Sequence, residues 1–336
     1  MRTLNSKALA IGIAAIAASA ASGSSGCSSK KPTEIVPGAL TQIQVPKDLA
    51  GIQVEVSVSG SDKFCQGYQV SNGEVELPST LGVVSGAAGE TLRITLRGYD
   101  VSSSQDMNNC NHLVVDDKSA DTNNGPAPRV LRQAIVSYVD QQTLFLPMPL
   151  SFACYDVDCT ASGQDSTCKG GTCSDGNVPA GSLAAFDPAL VDGTQDCFDP
   201  TACLGTAGAA DVIDPSSCLY AVPAAGVDAA TSKGFNVRIT YTDVTFAKDP
   251  GTGVVLPQTG VPLETQVLDA DGVEGYTIPD ASKPTQFQLA PGLCSLAKNF
   301  ANQSALQPVT SGPPYHTISN VDVAVGCPAK SPLLPF

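Results

Sequence analysis

The sequence predicts a mainly β protein, in which two β-sandwich-like domains are joined by a disulfide-rich irregular segment. Two observations support this prediction. Apolar and polar residues alternate over short stretches on both sides of the middle of the chain, as in strands with one buried face. The middle itself is rich in cysteine, Gly, Asp, Ser and Pro and has little hydrophobic periodicity, so cross-links should replace packing there.

The first predicted domain covers residues 41–153 and is expected to be an Ig-like β-sandwich. Alternation is clearest in 52–58 and 92–97, so each of these strands should have one buried face and one solvent-exposed face. Turn clusters such as Ser71-Asn72-Gly73 separate the predicted strands. Several short strands without a long helical period are typical of a sandwich. Shorter strands are expected at 74–77, 131–139 and 143–146.

The second predicted β-domain covers residues 223–336. Apolar and polar residues alternate again in 235–241, 287–289 and 321–325. A short helix is expected at 295–306, where Leu296 and Phe300 lie at helical spacing. This domain should therefore also be built mainly from strands.

The cysteines predict a set of disulfides. The chain has twelve, and in an exported protein they are expected to pair. Each cross-link should stabilise the fold by roughly 2 to 3 kcal/mol. We expect Cys65 to pair with Cys110, and Cys294 with Cys327. Residues 154–222 hold the other disulfide candidates, which are Cys154, Cys159, Cys168, Cys173, Cys197, Cys203 and Cys218.

The spacing Cys154-x4-Cys159-x8-Cys168-x4-Cys173 does not favour a metal site. Zinc ligands usually come as C-x2-C pairs, and no histidine lies nearby. Two small disulfide loops are expected instead, and no cofactor is predicted.

Residues 1–26 have the pattern of a secretory signal peptide. Arg2 and Lys7 supply the positive charge, and an apolar run follows at 8–20. That run is shorter than the roughly 20 apolar residues that a membrane-spanning helix needs. The sequence therefore predicts an exported protein.

Two cleavage sites compete. Ser24-Ser25-Gly26-Cys27 resembles a bacterial lipobox, whose cysteine becomes the acylated amino terminus, carrying fatty acids such as palmitate. Ser24 stands where an aliphatic residue is usual, and Ala18-Ser19-Ala20 offers an ordinary A-x-A site. We expect a lipoprotein attached through Cys27, with 27–40 as a flexible polar tether. Acylation leaves an odd number of other cysteines, whereas cleavage after Ala20 leaves an even number.

The segment from Gly163-Gln164 through Thr167-Cys168-Lys169-Gly170-Gly171-Thr172-Cys173 resembles the G-Q-x-x-T-C-x-x-G-x-C hairpin of cysteine-rich extracytoplasmic proteins. With the lipobox-like start, the run 144–154 and Asp196-Cys197-Phe198-Asp199, the chain resembles a family of cysteine-rich surface lipoproteins of myxobacteria. The resemblance implies the outer membrane or cell surface of a Gram-negative bacterium, and Ser28 suits sorting to the outer membrane. It implies no activity. A freely secreted or periplasmic protein is the alternative.

Charge and motifs limit the function classes. The net charge of −14 repels phosphate backbones, so no nucleic acid is expected as a partner. None of the common hydrolase, nucleotide-binding or metalloprotease motifs occurs, and the two histidines, His112 and His316, lie far apart. We therefore expect a non-enzymatic envelope lipoprotein with a structural role or a role in binding a protein or glycan. The alternatives are an exported hydrolase of polysaccharide or protein with dispersed carboxylates, and a calcium-dependent adhesion module.

The calcium alternative depends on Asp269-Ala270-Asp271-Gly272-Val273-Glu274-Gly275. This segment resembles the opening of a calcium loop, yet its glycine falls at position four rather than six. A hairpin turn at Asp271-Gly272 is preferred. Asp156 and Asp158 are a weaker candidate pair, because they lie between disulfide candidates.

Glycan binding has few aromatic candidates, because the chain has no tryptophan. The tyrosines that could stack on sugar rings are Tyr68, Tyr99, Tyr138, Tyr220, Tyr241 and Tyr276.

Overall fold

The structure is a computed structural model that describes residues 31–336 except 83, 102–106, 108–127, 189–198, 249–250, 253, 303–305, 307–314, 328–329 and 331–336. Residues 31–336 form one compact unit. The predicted fold class is confirmed, because the unit is mainly β, contains several antiparallel sheets and is cross-linked by disulfides.

The strands follow one another with few helices between them. In the first half they are β1 (Glu34–Thr41), β2 (Gly51–Val58), β3 (Ser61–Gln69), β4 (Ser79–Thr80), β5 (Val84–Ser85), β6 (Thr91–Tyr99), β7 (Val130–Ser137), β8 (Thr143–Leu150), β9 (Ser166–Lys169) and β10 (Thr172–Asp175). In the second half they are β11 (Gly208–Ala209), β12 (Asp211–Asp214), β13 (Leu219–Ala221), β14 (Phe235–Lys248), β15 (Val255–Leu268), β16 (Tyr276–Thr277), β17 (Gln286–Leu289) and β18 (Tyr315–Val325). The α-helices are α1 (Pro200–Leu204), α2 (Val227–Lys233) and α3 (Pro291–Ala301).

The amino-terminal part is a sandwich of two sheets. In the first sheet, β1 pairs in parallel with β8 along its whole length, and it pairs antiparallel with β5 near its start and with β4 near its end. The second sheet is antiparallel, in the order β3-β2-β6-β7. Ile35 and Met148 from the first sheet and Ile52 and Leu92 from the second are fully buried in one hydrophobic cluster. The predicted sandwich therefore forms because the alternating apolar residues of both sheets meet in a shared core.

The carboxy-terminal part adds two more sheets to the same core. The third sheet has the order β11-β18-β14-β15, and the fourth has the order β12-β13-β17-β16. Phe287 is completely buried, and its ring centroid lies 5.6 Å from those of both Phe235 and Tyr276. Helix α3 adds the buried Leu293. One cluster contains residues from Ile35 to Val323 and so spans both β regions, while a small second cluster forms around Leu204 and Val267.

Several local predictions are corrected. Residues 74–77 form an irregular segment with bends, while β3, which was not predicted, supplies the edge strand. The Glu74 carboxylate accepts a hydrogen bond from the Gln69 backbone N–H, and such local bonds compete with strand pairing. The helix predicted at 295–306 instead spans Pro291–Ala301, because proline is well suited to the first helical position.

The tether is shorter than predicted. Strand β1 begins at Glu34 and its Val36 is buried, so residues 34–40 belong to the sandwich. The apolar residues within 34–40 form a buried strand, and only the residues before Glu34 have the polar composition of a tether. Cys27, the expected lipid-attachment residue, lies outside the described residues.

The disulfides connect distant parts of the chain. Cys203 pairs with Cys327 and Cys218 with Cys294, so the predicted Cys294–Cys327 bridge is wrong. Order along the chain does not determine connectivity, because the partners meet only after the strands have paired. Cys65 is also disulfide-bonded, and Cys110 and Cys197 lie outside the described residues. The remaining pairs, Cys154–Cys168 and Cys159–Cys173, form two interleaved loops.

A network of charged side chains joins the first predicted β-domain, the cysteine-rich segment and the second predicted β-domain. His316 Nδ1 lies 2.9 Å from Asp243 Oδ1, and His316 Nε2 lies 3.5 Å from Asp156 Oδ2. Asp156 also accepts hydrogen bonds from Arg129 Nε and Nη2, at 2.6 and 2.8 Å. Arg129 pairs in addition with Asp100. The network fixes the turn at Asp156 against both neighbouring β regions.

Burial and pairing have opposite effects on these groups. Burial alone would lower the pKa of His316, but the neighbouring carboxylates of Asp156 and Asp243 raise it above its ordinary value. Burial alone would raise the pKa of Asp156, but Arg129 and His316 lower it to about 2. The Arg129 guanidinium also lies 4.6 Å above the Tyr155 ring, a cation–π contact. The network therefore favours a protonated His316 beside ionised carboxylates.

His316 should make stability depend on pH. Its pKa is higher in the folded state than the unfolded value of about 6.5, so its protonation stabilises the fold below that pH. This contribution is lost as pH rises through the folded pKa. In urea unfolding, we expect the difference in free energy of unfolding between the wild type and His316→Gln to be larger at pH 6 than at pH 8.5. A difference that is independent of pH would contradict this.

Removal of the Cys154–Cys168 bridge should weaken the fold. The cysteines lie 14 residues apart, and in the loop-entropy model a bridge of this span contributes about 3 kcal/mol. We expect the double variant Cys154→Ser, Cys168→Ser to lose about 2 to 3 kcal/mol in denaturant unfolding without reductant. The matched pair Cys218→Ser, Cys294→Ser, whose cysteines lie 76 residues apart, should lose more. Wild-type stability in the first double variant would contradict the prediction.

Candidate functional site

One face of the second sheet is polar and yet buried. Gln53, Thr95 and Arg97 point away from the sandwich core and have exposed fractions of 0, 4 and 3%. The alternation in β2 and β6 predicted that this face would be exposed to solvent, and that prediction is wrong. Residues 154–178, which we call the roof, cover the face at Thr95 and Arg97, whereas Gln53 lies against Met107 and donates a hydrogen bond from Nε2 to the Met107 carbonyl.

Arg97 is at the centre of this face. The strand register places it directly opposite Gln53, and Glu55 lies two residues further along the same neighbouring strand. Arg97 Nη1 donates hydrogen bonds to Gln53 Oε1 at 2.9 Å and to Glu55 Oε2 at 2.8 Å. The Tyr99 hydroxyl donates to the same Gln53 oxygen at 3.4 Å. A charge-assisted pair of this kind holds the guanidinium in place.

Tyr99 stays neutral beside this pair. Burial raises its pKa to about 12, while Arg97 lowers it and Glu55 raises it by smaller amounts. Its hydroxyl therefore remains a hydrogen-bond donor near neutral pH and helps to hold Gln53.

The roof is fastened to the edge strand β7. Gln133 Nε2 donates to the Gln164 carbonyl at 3.0 Å, and the Gln133 backbone N–H donates to Thr167 Oγ1 at 2.8 Å. The Ile135 backbone N–H donates to the Gly176 carbonyl at 2.9 Å. These bonds satisfy the polar groups of a strand edge that would otherwise need water.

Further contacts hold the roof against β6 and brace it internally. An ion pair of 2.5 Å joins Arg93 on β6 to Asp165 in the roof. The two interleaved disulfides brace the same segment, with Cα–Cα distances of 5.7 Å for Cys154–Cys168 and 5.3 Å for Cys159–Cys173. The network around Asp156 fixes its beginning. A segment with few apolar residues is thus held in place by covalent and polar contacts.

A cavity of about 370 Å³ lies between the polar face and the roof. Its volume falls in the range of 300–1,000 Å³ that is usual for small-molecule sites. Leu131 and Val157 contribute apolar walls, and Asp158 and Ser166 contribute polar groups from the roof. The floor is formed by Glu55, Thr95, Arg97 and Gln133. This arrangement, which we call the roofed cavity, is the best candidate for a binding site.

One buried donor of the polar face is unsatisfied. Arg97 Nε is buried and has no hydrogen-bond acceptor among the described residues. A buried donor without a partner costs about 1 to 3 kcal/mol, so proteins seldom retain one without a reason. This atom has almost no accessible surface, so it belongs to the buried pair and not to the accessible wall of the cavity.

A second, smaller cavity of about 170 Å³ contains the residues of the calcium-loop candidate. Glu274 forms an ion pair of 2.6 Å with Arg132, and Asp269 pairs with Lys330. Burial raises the pKa of Glu274 and of Asp269 and lowers that of Lys330, with each partner opposing the shift. Asp271 accepts a hydrogen bond from the Val273 N–H at 2.8 Å. The acids of this loop are therefore engaged by the protein itself.

The predicted hairpin turn at Asp271-Gly272 is wrong. The segment connects β15 in the third sheet with β16 in the fourth, so its flanking strands do not pair with each other. Within the described part of the chain, no group of His, Cys, Asp and Glu residues is arranged to hold a metal ion.

The other residues that the sequence singled out lie in different parts of the structure. Asp156 and His316 belong to the charged network, Asp158 lines the roofed cavity, and His112 is outside the described residues. Of the tyrosines, Tyr99 lies beside Gln53, Tyr68 is half-buried, and the rest are buried; these are Tyr138, Tyr220, Tyr241 and Tyr276.

Sequence reasoning missed Glu55, Thr95, Arg97 and Gln133 as site residues. The available signal was a set of charged and amide side chains at alternate positions of neighbouring strands. Alternation alone does not distinguish a polar face in contact with water from one that another segment covers. The same pattern therefore predicts a solvent-exposed face.

None of the helices in the described ranges is long and apolar enough to cross a membrane. No protein-family model, curated protein or solved structure matches the chain, so the resemblance to myxobacterial surface lipoproteins stays a prediction.

Proposed function

We propose that this protein is an exported, lipid-anchored protein of the bacterial cell envelope that binds a ligand in the roofed cavity. The observation that carries the binding role is the roofed cavity itself, of about 370 Å³, in which the apolar Leu131 and Val157 lie beside polar groups of the sheet and the roof. The wall of the cavity is braced by two disulfides, so the site is preformed. Preorganisation of this kind strengthens binding, because little conformational entropy is lost when the ligand enters.

The location has separate support. Disulfides persist in oxidising compartments outside the cytoplasm, and four of them are described in this chain. The lipobox-like Ser24-Ser25-Gly26-Cys27 supports attachment of a lipid to Cys27. We place the protein at the outer membrane or cell surface, where a tether before Glu34 would present the cavity to the surroundings.

A hydrolase is the less favoured alternative. Three carboxylates line the smaller cavity, as a site of dispersed acids would require in outline. Asp269 and Glu274 are, however, held by Lys330 and Arg132. Use of either acid in catalysis would break a buried ion pair, which is costly. Binding is therefore the function that the geometry favours.

The anchor is tested by mass spectrometry of the amino-terminal peptide after expression of the full chain in a Gram-negative host. We expect a lipid-modified Cys27 and recovery of the protein in the membrane fraction. Cys27→Ser should move the protein out of that fraction, and the control Ser29→Ala should leave it there. A mature amino terminus at Ala21, with Cys27 in a disulfide, would contradict the anchor.

The binding role is tested by filling the cavity. Val157 lines it, so Val157→Trp should exclude a ligand, whereas Val212→Trp, at an exposed position on β12, should not. Native mass spectrometry of protein purified from envelopes without denaturation should reveal a non-covalent adduct on the wild type and the Val212 variant. The adduct should be absent from the Val157 variant. Equal spectra for all three proteins would contradict a ligand in this cavity.

A further inference from the structure

We propose that Lys330 and Asp269 become joined by an isopeptide bond, an amide that forms between the two side chains after the chain has folded. This inference is independent of the proposed function, because it concerns the smaller cavity and not the roofed cavity. It follows from the contact between the two side chains, from their burial and from the way the fold fixes their backbones.

The two reacting groups already touch. Lys330 Nζ contacts Asp269 Oδ1, and both residues line the smaller cavity of about 170 Å³. In solution a carboxylic acid and an amine stay separate, because water is in large excess. Groups held in a well-oriented contact reach effective concentrations on the order of 10⁵ M or more, which removes that disadvantage.

Hydrogen bonds fix the backbone on both sides of the contact. Strand β15 ends at Leu268, and the carbonyl of the next residue, Asp269, accepts a hydrogen bond from the Tyr276 N–H at 3.0 Å. The Lys330 backbone N–H donates to Asn236 Oδ1 at 2.7 Å. Asn236 lies near the start of β14 and is only 1% exposed. The third sheet therefore holds the amine and the carboxyl group together.

Burial favours the uncharged forms of both groups. The Lys330 side chain is 4% exposed and that of Asp269 is 27% exposed. Burial raises the pKa of Asp269, while Lys330 opposes this shift and Asp271 adds to it. Burial lowers the pKa of Lys330, and Asp269 opposes that shift. Both groups are thus displaced toward a carboxylic acid and a neutral amine, and the neutral amine is the nucleophilic form of lysine.

The condensation balances without an oxidant or any other reactant. Lys330 Nζ attacks the carboxyl carbon of Asp269, so that a C–N bond forms and the C–O bond to the hydroxyl breaks. The hydroxyl takes a proton from the nitrogen and leaves as one water molecule, for which the adjacent cavity has room. The product is an uncharged amide, so the reaction also removes the cost of burying two charges.

The bond adds a second cross-link to the carboxy-terminal end of the third sheet. Lys330 follows closely after Cys327, which pairs with Cys203. Asp269 and Lys330 are 61 residues apart, and the enclosed chain includes β16, β17, α3 and β18. Thiols break a disulfide by exchange but do not break an amide. This end of the sheet therefore stays closed even when the disulfide is reduced.

The test is tryptic mapping of the full chain, purified from the envelopes of the expressing host and then denatured and reduced. Trypsin cuts after a free lysine but not at Lys283, which a proline follows. An unlinked chain therefore gives separate peptides 249–298, 299–330 and 331–336. We expect instead one species in which 299–336 is joined to 249–298, with a mass below their sum by one water molecule. Fragmentation should locate the bond at Lys330 and Asp269.

Two variants and one control accompany the wild type. Lys330→Arg and Asp269→Ala should each abolish the linked species and release residues 331–336. The matched control is Lys47→Arg, which alters a lysine paired with Asp48 whose side chain is 51% exposed, and it should retain the linked species.

The wild-type map decides the question even if neither variant folds. Complete release of residues 331–336 from the wild type would overturn the proposal, and so would a bond from Lys330 to a different acid. Since none of these residues lines the roofed cavity, failure here leaves the proposed function in place.

Discussion

A buried guanidinium on the second sheet determines much of what surrounds it. Arg97 is almost completely removed from water, and a buried charge is tolerated only when it is paired and hydrogen-bonded. Gln53 and Glu55 meet that need because the antiparallel register places them on the neighbouring strand. The Arg97–Glu55 pair lies beneath the roof, and both of its residues contribute to the lining of the roofed cavity. The Arg97–Glu55 ion pair thus depends on the strand register, is covered by the roof and lines the cavity.

The roof is possible because disulfides replace a hydrophobic core in residues 154–178. Such a segment has too few apolar residues to order itself by packing, and cross-links reduce the entropy of its unfolded state instead. The interleaved pairs Cys154–Cys168 and Cys159–Cys173 fix its shape. Gln133 and the network around Asp156 fix its position on the sandwich. Oxidation outside the cytoplasm is therefore a condition for the cavity as well as for stability.

Much of the fold could be predicted from alternation alone. Strands β2, β6 and β14 have apolar residues at every second position, and one face of each is buried where expected. Strand β3 was missed because its sequence is polar and it lies at a sheet edge, where water replaces packing. The Cys294–Cys327 bridge was wrong because Cys218 reaches Cys294 only through the pairing of β13 with β17. The site was missed for a similar reason, because residues distant in sequence cover the polar face.

The most direct measurement is an experimental electron-density map of the protein purified from envelopes without denaturation. We expect density for a non-protein group in the roofed cavity, in contact with Val157 and within hydrogen-bond distance of a polar side chain of the lining. If the cavity contains only water, the central claim that this polar face is a ligand site is contradicted.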